Sequence, residues 1–562
     1  MGGGQSLEAK AEVVKSHAVT QQAAVDSGAN TATGKSFTSS GRSELAAHMI
    51  RERKHANVWD YYQLIRLLGE GSIGSVSLVR RKKGTEGGSA YPKKSAMQKI
   101  LGCCSSITEA VNDTPNSNAH LYAIKSIQLS LVQQIYLDEL KNEIEVLRSL
   151  DHPNIVKAYE VYESRRNLFV VMEFCSGGDL YIRAPYTENE AASLMTQLCS
   201  AISHMHKHDI VHRDLKFENV MFESKDEFSP IKVLDFGLSK KFLPGMTKLM
   251  TEGVGTLYTM APQVLNGIYS SKADCWSLGV IAFVLLSQRK PFAAETRAKT
   301  KELIMRCQYR FDHRDWDGIS QDAKDFVSSL IVYDPNKRFS AKKALDHPWL
   351  KKNSNEKDIR ALVEYKKQTS LMNHVHDNII GYARMSSLKR IASVVVAHKS
   401  SAAEILEIRK AFEAYDTEKD GVISLSEFKA VFSQFNYTDE EMNDMFDNVD
   451  INGCNEITFT EFIAATLTLH GRIEEKRLAE AFDLIDEDDT GYISKENLEK
   501  LLGKSVDPER VESLIREVDV DGDVRIYFSD FIAMFREDNC QQCIDCLGTS
   551  TPRRSTSHSS EA

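Results

Sequence analysis

Between Asp416 and Asp530 the chain repeats one pattern four times: a twelve-residue stretch rich in carboxylates, set between segments whose apolar residues fall at helical spacing. The stretches begin at Asp416, Asp450, Asp486 and Asp519, which are 34, 36 and 33 residues apart. Such a period constrains the fold before any single residue does. Each helix–loop–helix unit is too small to bury its own apolar face and has to stack on a neighbour. Oxygen-bearing residues recur at positions 1, 3 and 12, and at position 5 in three of the four, the spacing of a loop that wraps a hard cation around a sharp turn at position 6. Charge is concentrated accordingly. Residues 401–540 hold 35 acidic and 14 basic residues, a net of −21, while the whole chain carries −10, leaving about +11 for the rest.

The stretches resemble EF-hand loops, which implies Ca²⁺ and assigns its ligands. Loop one, DTEKDGVISLSE, offers Asp416, Glu418, Asp420, the Val422 carbonyl, Ser424 and a bidentate Glu427, with Gly421 at the turn; it reads as competent. Loop two, DINGCNEITFTE, keeps Asp450, Asn452, the Glu456 carbonyl and Glu461, but Cys454 is a soft ligand and Asn455 stands at the turn; it reads as weakened. Loop three, DEDDTGYISKEN, has Asp486, Asp488, Thr490 and the Tyr492 carbonyl, but Asn497 supplies one neutral oxygen at position 12, so weak binding is expected. Loop four, DVDGDVRIYFSD, has Asp519, Asp521, Asp523, the Arg525 carbonyl and Asp530. There Val524 would need a positive φ that a β-branched residue resists, Tyr527 replaces a small polar residue, and Asp530 is short. Loop four is expected to serve mainly as a packing partner for loop three.

The other motifs lie upstream, in order. LGEGSIGSV carries Gly69, Gly71, Gly74 and Val76; alone it is a weak phosphate-loop signal. LYAIKSI follows with Ala123 and Lys125, then LDELKNEIEVLRSL with Glu143, VMEFCSGGDL with Met172, Glu173, Cys175 and Asp179, HRDLKFEN with Asp214, Lys216 and Asn219, and VLDFG with Asp235. The ordered set resembles a eukaryotic protein kinase over about 290 residues. The resemblance implies that Lys125, paired with Glu143, holds ATP phosphates and that Asn219 and Asp235 bind Mg²⁺. It makes Asp214 the acceptor of the substrate hydroxyl proton and has Lys216 neutralise the γ-phosphate, as in serine/threonine kinases. Met172 would be the gatekeeper, with Glu173 to Cys175 reaching adenine through backbone; Val76, Ala123 and Asp179 complete the nucleotide set. Asp179 and Glu218 also sit where basophilic relatives hold an arginine three residues before the target, against the plainer reading of solvated acids. One departure stands out: Ala261-Pro262-Gln263 replaces A-P-E, so the partner expected for Arg338 has lost its charge. Arg213 calls for an anion in the activation loop, either phosphorylated Thr251 or Glu252.

Kinase, basic helix and four EF-hands in one chain resemble the calcium-dependent protein kinases of plants and alveolates, over about residues 60–536. The expected fold class is α+β, a bilobal protein kinase fold followed by an all-α, four-EF-hand calmodulin-like domain. The expected organisation is a disordered extension (1–54), a kinase domain (62–350) with an inserted loop (84–120), an autoinhibitory junction (351–403), the calmodulin-like domain (404–536) and a flexible tail (540–562). In the junction, Ile380, Met385, Leu388, Ile391 and Val395 recur at helical spacing beside Arg384, Lys389 and Arg390, a basic amphipathic pattern that acidic EF-hand lobes grip. The implied mechanism is that the junction obstructs the kinase site until Ca²⁺ opens an EF-hand groove. RIAS (Arg390 to Ser393) and RRST (Arg553 to Thr556) place arginine three residues before a hydroxyl, as candidate autophosphorylation sites.

The remaining features narrow the setting. The longest apolar run, GVIAFVLLS (279–287), is far short of the roughly 18–20 residues that span a bilayer and reads as a buried core helix. Ten scattered cysteines form no disulfide framework and suit a reducing, cytoplasmic compartment; Cys540, Cys543 and Cys546 read as free thiols. MGGGQS fits N-myristoylation at Gly2, and one such chain gives reversible membrane contact. No basic, aromatic-interleaved patch suggests nucleic acid. Two other readings stay open. One is a calcium-responsive scaffold whose kinase fold is inactive, supported only by Gln263. The other is an active kinase capped by a constitutive EF-hand module.

Overall fold

The computed structural model describes residues 49–54, 56–70, 74–82, 121–131, 143–236, 239–241, 256–267, 270–312, 314–352, 372–402, 404–467, 475–503, 507–519 and 522–536. Gly2, Gly71, the 84–120 insert, Thr251, Glu252, Asp521, the three tail cysteines and RRST lie outside them.

A six-stranded sheet forms the smaller lobe. Its strands are β1 (Arg51–Lys54), β2 (Tyr62–Glu70), β3 (Gly74–Arg81), β4 (Leu121–Gln128), β5 (Ala158–Glu163) and β6 (Asn167–Glu173), in the order β1-β5-β6-β4-β3-β2. β1 pairs parallel with β5; the other pairs are antiparallel. The extension read as disordered to residue 54 therefore ends in a strand. Successive side chains of a strand face opposite ways. Ile124 joins a buried cluster with Val79, Tyr62, Tyr162 and Val171, so its neighbour Lys125 faces the cleft. Gly74 pairs with Ile127, and a Cβ there would lie 1.8 Å from the Ser126 carbonyl oxygen, so only glycine fits.

Helix α1 (143–149) packs beside the sheet and carries Glu143. The larger lobe is helical. Helix α2 (Glu188–Lys207) opens with a capping box between Thr187 and Glu190. Helix α3 (Lys272–Ser287) contains the apolar 279–287 run and is buried along nearly its whole length. No described helix is long and apolar enough to cross a membrane.

Under α3 lies the Gln263 departure. Arg338 is buried, donates from Nη2 to Gln263 Oε1 at 3.2 Å and to the Val332 carbonyl, and its guanidinium sits over Trp276. Burial lowers the Arg338 pKa to about 10, with Cys275, Cys307 and Asp334 acting in the opposite sense. Gln263 Nε2 is buried without a partner. Gln263→Glu exchanges that orphan donor for a charged acceptor. It is expected to stabilise the kinase domain by about 1–2 kcal/mol, raising its melting temperature by about 2–4 °C per kcal/mol. A lower melting temperature in calorimetry would show that the glutamine suits this site better.

The junction is two helices. Residues 372–383 (α4) are helical, the chain turns at Arg384–Met385, and α5 (Ser387–His398) begins where the Ser386 hydroxyl accepts the Lys389 N–H. The single continuous helix implied by the 380–395 periodicity is thus broken by a serine N-cap. The EF-hand helices follow as α6 (Leu406–Tyr415), α7 (Leu425–Phe432), α8 (Asp439–Val449), α9 (Phe459–Thr466), α10 (Glu475–Ile485), α11 (Lys495–Leu502), α12 (Pro508–Arg516) and α13 (Phe528–Arg536). Two-residue antiparallel ladders join loop one to loop two and loop three to loop four. Leu388, Ile391, Val394, Val395 and Val396 of α5 are buried in one core with both EF-hand pairs. That core is continuous because α5 packs on α9, α10 and α12.

The EF-hand module with its enclosed junction lies against the kinase face formed by β5, the 151–157 segment and α2. Thr460 N and Oγ1 donate to Asp151, Arg409 donates to Glu223 at 2.9 Å, and His398 Nε2 meets the Ala158 carbonyl at 3.1 Å. Lys399 Nζ reaches Glu160 at 3.6 Å. Glu160 is buried, yet Arg81, Lys399 and Arg53, with the Tyr162 hydroxyl, hold its carboxyl well below the usual range. The backbone at Gly421 has φ 82°, and a Cβ there would strike the His152 ring.

Candidate active site and calcium loops

In the cleft, β4 and α1 bring Lys125 Nζ to 2.6 Å from Glu143 Oε1, and Asp235 Oδ1 lies 3.1 Å from the same nitrogen. Burial opposes the ammonium, but the two carboxylates outweigh it and raise the Lys125 pKa above its ordinary value. Asp214 is buried at the cleft floor. Its Oδ2 accepts from Lys216 Nζ at 2.6 Å, and its Oδ1 accepts from the Thr256 N–H and hydroxyl at 2.9 and 3.0 Å. Asn219 Nδ2 donates to the Asp214 carbonyl at 2.8 Å. With that nitrogen committed, the oxygen end of Asn219 is the part a cation can use. Lys125, Asn219 and Asp235 thus present one ammonium and hard oxygens, a donor set that fits a magnesium nucleotide.

The other nucleotide-set residues divide. Val76 and Lys125 are register partners, as are Ala123 and Met172. Ala123 and Cys175 are buried, and Gly69 has open space around it. The Glu173 carboxylate turns away to the Lys157 N–H (2.8 Å) and Lys232 (2.9 Å). Asp179 accepts the Tyr181 N–H, and Glu218 accepts the Tyr258 hydroxyl at 3.1 Å.

Two cleft residues carried no motif signal in isolation. Asp274, in the first turn of α3, accepts the His212 and Arg213 N–H groups at 2.9 and 3.0 Å and pins the loop bearing Asp214. His206 bonds the same carboxylate, and against the cost of burial that bond raises His206 to about 9. Thr256 is the second. The signal available for both was position: Asp274 opens DCWSLG, and Thr256 lies five residues before Ala261-Pro262-Gln263.

In the calcium loops, helix capping and ligation use the same residues. Position 9 is an N-cap and position 12 is N3 of the exit helix, so Ser424/Glu427, Thr458/Glu461 and Ser494/Asn497 form capping boxes. In loop one, Asp416 accepts the Asp420 and Gly421 N–H groups, and Glu427 Oε1 accepts the Glu418 N–H. Burial, then Asp420 and Glu427, raises Asp416 to about 7. In loop two, burial and Asp450 raise Glu461 to about 8, and burial raises Asp450 to about 6. Among the described residues no three His, Cys, Asp or Glu side chains stand close enough together to hold a metal ion, so the crowding in these loops is of carboxylate pairs. The Cys454 thiol points at the Glu456 carbonyl, 3.1 Å away, so it competes for that position-7 oxygen. Asn455 takes φ 62° at the turn.

Loop three closes on itself. Asn497 Nδ2 donates to Asp488 Oδ1 at 3.1 Å, and Thr490 Oγ1 bonds Asp486 and the Tyr492 carbonyl. An amide N–H thereby holds the carboxylate at position 3. In loop four, Val524 adopts φ 62° and is half exposed. Asp530 accepts the Tyr527 N–H, while the Tyr527 hydroxyl goes to Asp523. Arg525 lies over the Tyr492 ring.

Ser393 is 4% exposed inside the EF-hand core, with its hydroxyl on the Lys389 carbonyl, so RIAS offers no accessible hydroxyl in this arrangement.

Comparison with known proteins matches residues 101–350 to the protein kinase domain, and 405–467 and 475–536 to the EF-hand domain pair. Calcium-dependent protein kinase 17 of Arabidopsis thaliana is 33% identical over 436 residues, covering 76% of this chain and 80% of that protein. Calcium-dependent protein kinase 3 of Oryza sativa subsp. japonica is 34% identical over 427 residues, covering 74% and 75%. With a Lys125–Glu143 pair in its cleft and two pairs of EF-hands behind it, the chain belongs to the calcium-dependent protein kinases.

Proposed function

We propose that this calcium-regulated serine/threonine kinase uses Asp214 as the base for the substrate hydroxyl and Lys125, held by Glu143, to place the ATP phosphates. Lys216 neutralises charge at the transferred group, and Asp235 with Asn219 would hold Mg²⁺. Phosphoryl transfer rests on positioning and charge neutralisation, which bound Mg²⁺ supplements. Asp416, Glu418, Asp420, Ser424 and Glu427 would take the strongest Ca²⁺. The regulatory reading is that Ca²⁺ draws the junction out of the catalytic cleft and into the EF-hand core. The observation that carries it is the enclosure of α5 by EF-hand helices while the Lys125–Glu143 pair is closed. Asp179 and Glu218 favour substrates with a basic residue before the target, and acylation at Gly2 would add reversible membrane contact.

A chain ended after Leu350 separates this from a second reading, in which the docked module supports the kinase. The buried Arg409–Glu223 pair and the Lys399–Glu160 contact favour the second. Release predicts that the shortened chain is active without Ca²⁺, above the full chain in chelator. A shortened chain inactive at every Ca²⁺ concentration would replace release with support.

A further inference from the structure

Residues 49–54 are where the two halves of the molecule meet most closely in sequence. Met49 is buried in the junction and EF-hand core, and the next residue, Ile50, is buried in the kinase core. Arg51 to Lys54 then add a parallel strand to the edge of the kinase sheet, Arg51 opposite Glu160 and Lys54 opposite Glu163. A short charged segment gains nothing from intrinsic β-propensity, so main-chain pairing with the exposed edge holds it only together with the side-chain contacts to the EF-hand module.

The side chains divide between two targets. Arg51 and Arg53 face the EF-hand module and are almost fully buried, at 4% and 6% exposure. Arg51 bonds the Asp483 carboxylate at 2.5 Å, the Asp489 carboxylate at 2.8 Å and the Asp486 carbonyl at 3.2 Å. Arg53 shares Asp483 at 3.0 Å. These partners are the end of α10 and the start of loop three. The groups used, a position-1 carbonyl and a position-4 carboxylate, are not calcium ligands. Between the two arginines, Glu52 pairs with Arg148. Arg148 is near the end of α1, the helix that presents Glu143 to Lys125.

We infer that residues 49–54 form a strap that positions α1, and hence Glu143, for catalysis, and that Arg51 and Arg53 make this positioning depend on the docked third EF-hand. Glu52 and Arg148 are positioning residues, since neither touches the reacting groups. The inference rests on the kinase reading above. It adds a role for loop three that does not require tight Ca²⁺ binding there, which suits a loop with Asn497 at position 12.

The test uses the full chain at saturating Ca²⁺. The Glu52–Arg148 pair is partly exposed, so its charges can be exchanged without burying a lone ion. Glu52→Arg is expected to lower kcat about ten- to a hundredfold, the cost of a small misplacement of a catalytic group. Adding Arg148→Glu is expected to restore kcat to within about threefold, a rescue that a merely structural loss would not give. In the Arg51→Ala, Arg53→Ala background, Glu52→Arg is expected to have little further effect, because the strap is already detached. Wild-type kcat in Glu52→Arg, or no rescue by the swap at unchanged melting temperature, would overturn the strap. Inactivity of all variants, with the wild type also inactive, would instead count against the kinase reading.

Discussion

Asp214→Asn is expected to reduce phosphorylation of a serine peptide by about 10²–10⁴-fold, the usual worth of a positioned general base. Melting temperature should fall modestly, since a buried amide N–H then faces a donor. The reason lies in the donors around Asp214. Its Oδ2 takes the Lys216 ammonium and its Oδ1 takes two donors from Thr256. Asparagine keeps one acceptor but turns an NH₂ toward one of these donors, and it cannot accept the substrate proton. The alternative of an inactive scaffold expects the same background rate from both proteins. Gln263, its only support in the sequence, still receives Arg338, and therefore weakens a structural contact rather than the chemistry.

The second large effect concerns loops one and two together. Glu427→Gln with Glu461→Gln is expected to raise the Ca²⁺ concentration for half-maximal activity by at least about 10–100-fold, the loss that even an outer-shell partner causes at a metal site. Each glutamate is both the position-12 ligand and the N3 residue of a capping box. Glutamine serves the cap but has one neutral oxygen in place of two charged ones. The folded module is therefore expected to persist, which circular dichroism would check, while its Ca²⁺ titration by calorimetry weakens. An unchanged Ca²⁺ response in the kinase assay would remove both loops from the mechanism and leave the EF-hand module as a structural cap.

Much of this was legible from residue types because the chemistry itself dictates them. A lysine on a strand beside an apolar face, a glutamate on the following helix and an aspartate–asparagine pair five residues apart give a kinase cleft few alternatives. The loop reading was legible for the same reason. Val524 is expected to resist a positive φ and takes φ 62° all the same, with its N–H donated to the Asp519 carboxylate at 2.8 Å. What the sequence hid is tertiary. Arg51 to Lys54 fall in the extension expected to be disordered (1–54), since strand pairing with β5 leaves no periodic trace in four residues. The break at Arg384–Ser386 was masked by apolar spacing that runs through it. Ser393 looked like a phosphorylation site because an arginine three residues away is a local signal, whereas its burial depends on α9, α10 and α12 closing around α5. Lys342, which reaches Glu418 at 2.7 Å and Asp420 at 3.2 Å from the kinase lobe, belongs to the same class: an ordinary surface lysine until the module docks.

Control of phosphoryl transfer at Asp214 by calcium in the EF-hand module can be read from one rate. The most direct measurement is the initial rate of peptide phosphorylation by the full chain across a series of buffered free Ca²⁺ concentrations, with Asp214→Asn as the background. The rate is expected to rise steeply from a low value in chelator and to saturate. A rate above background that is flat across the series would contradict it.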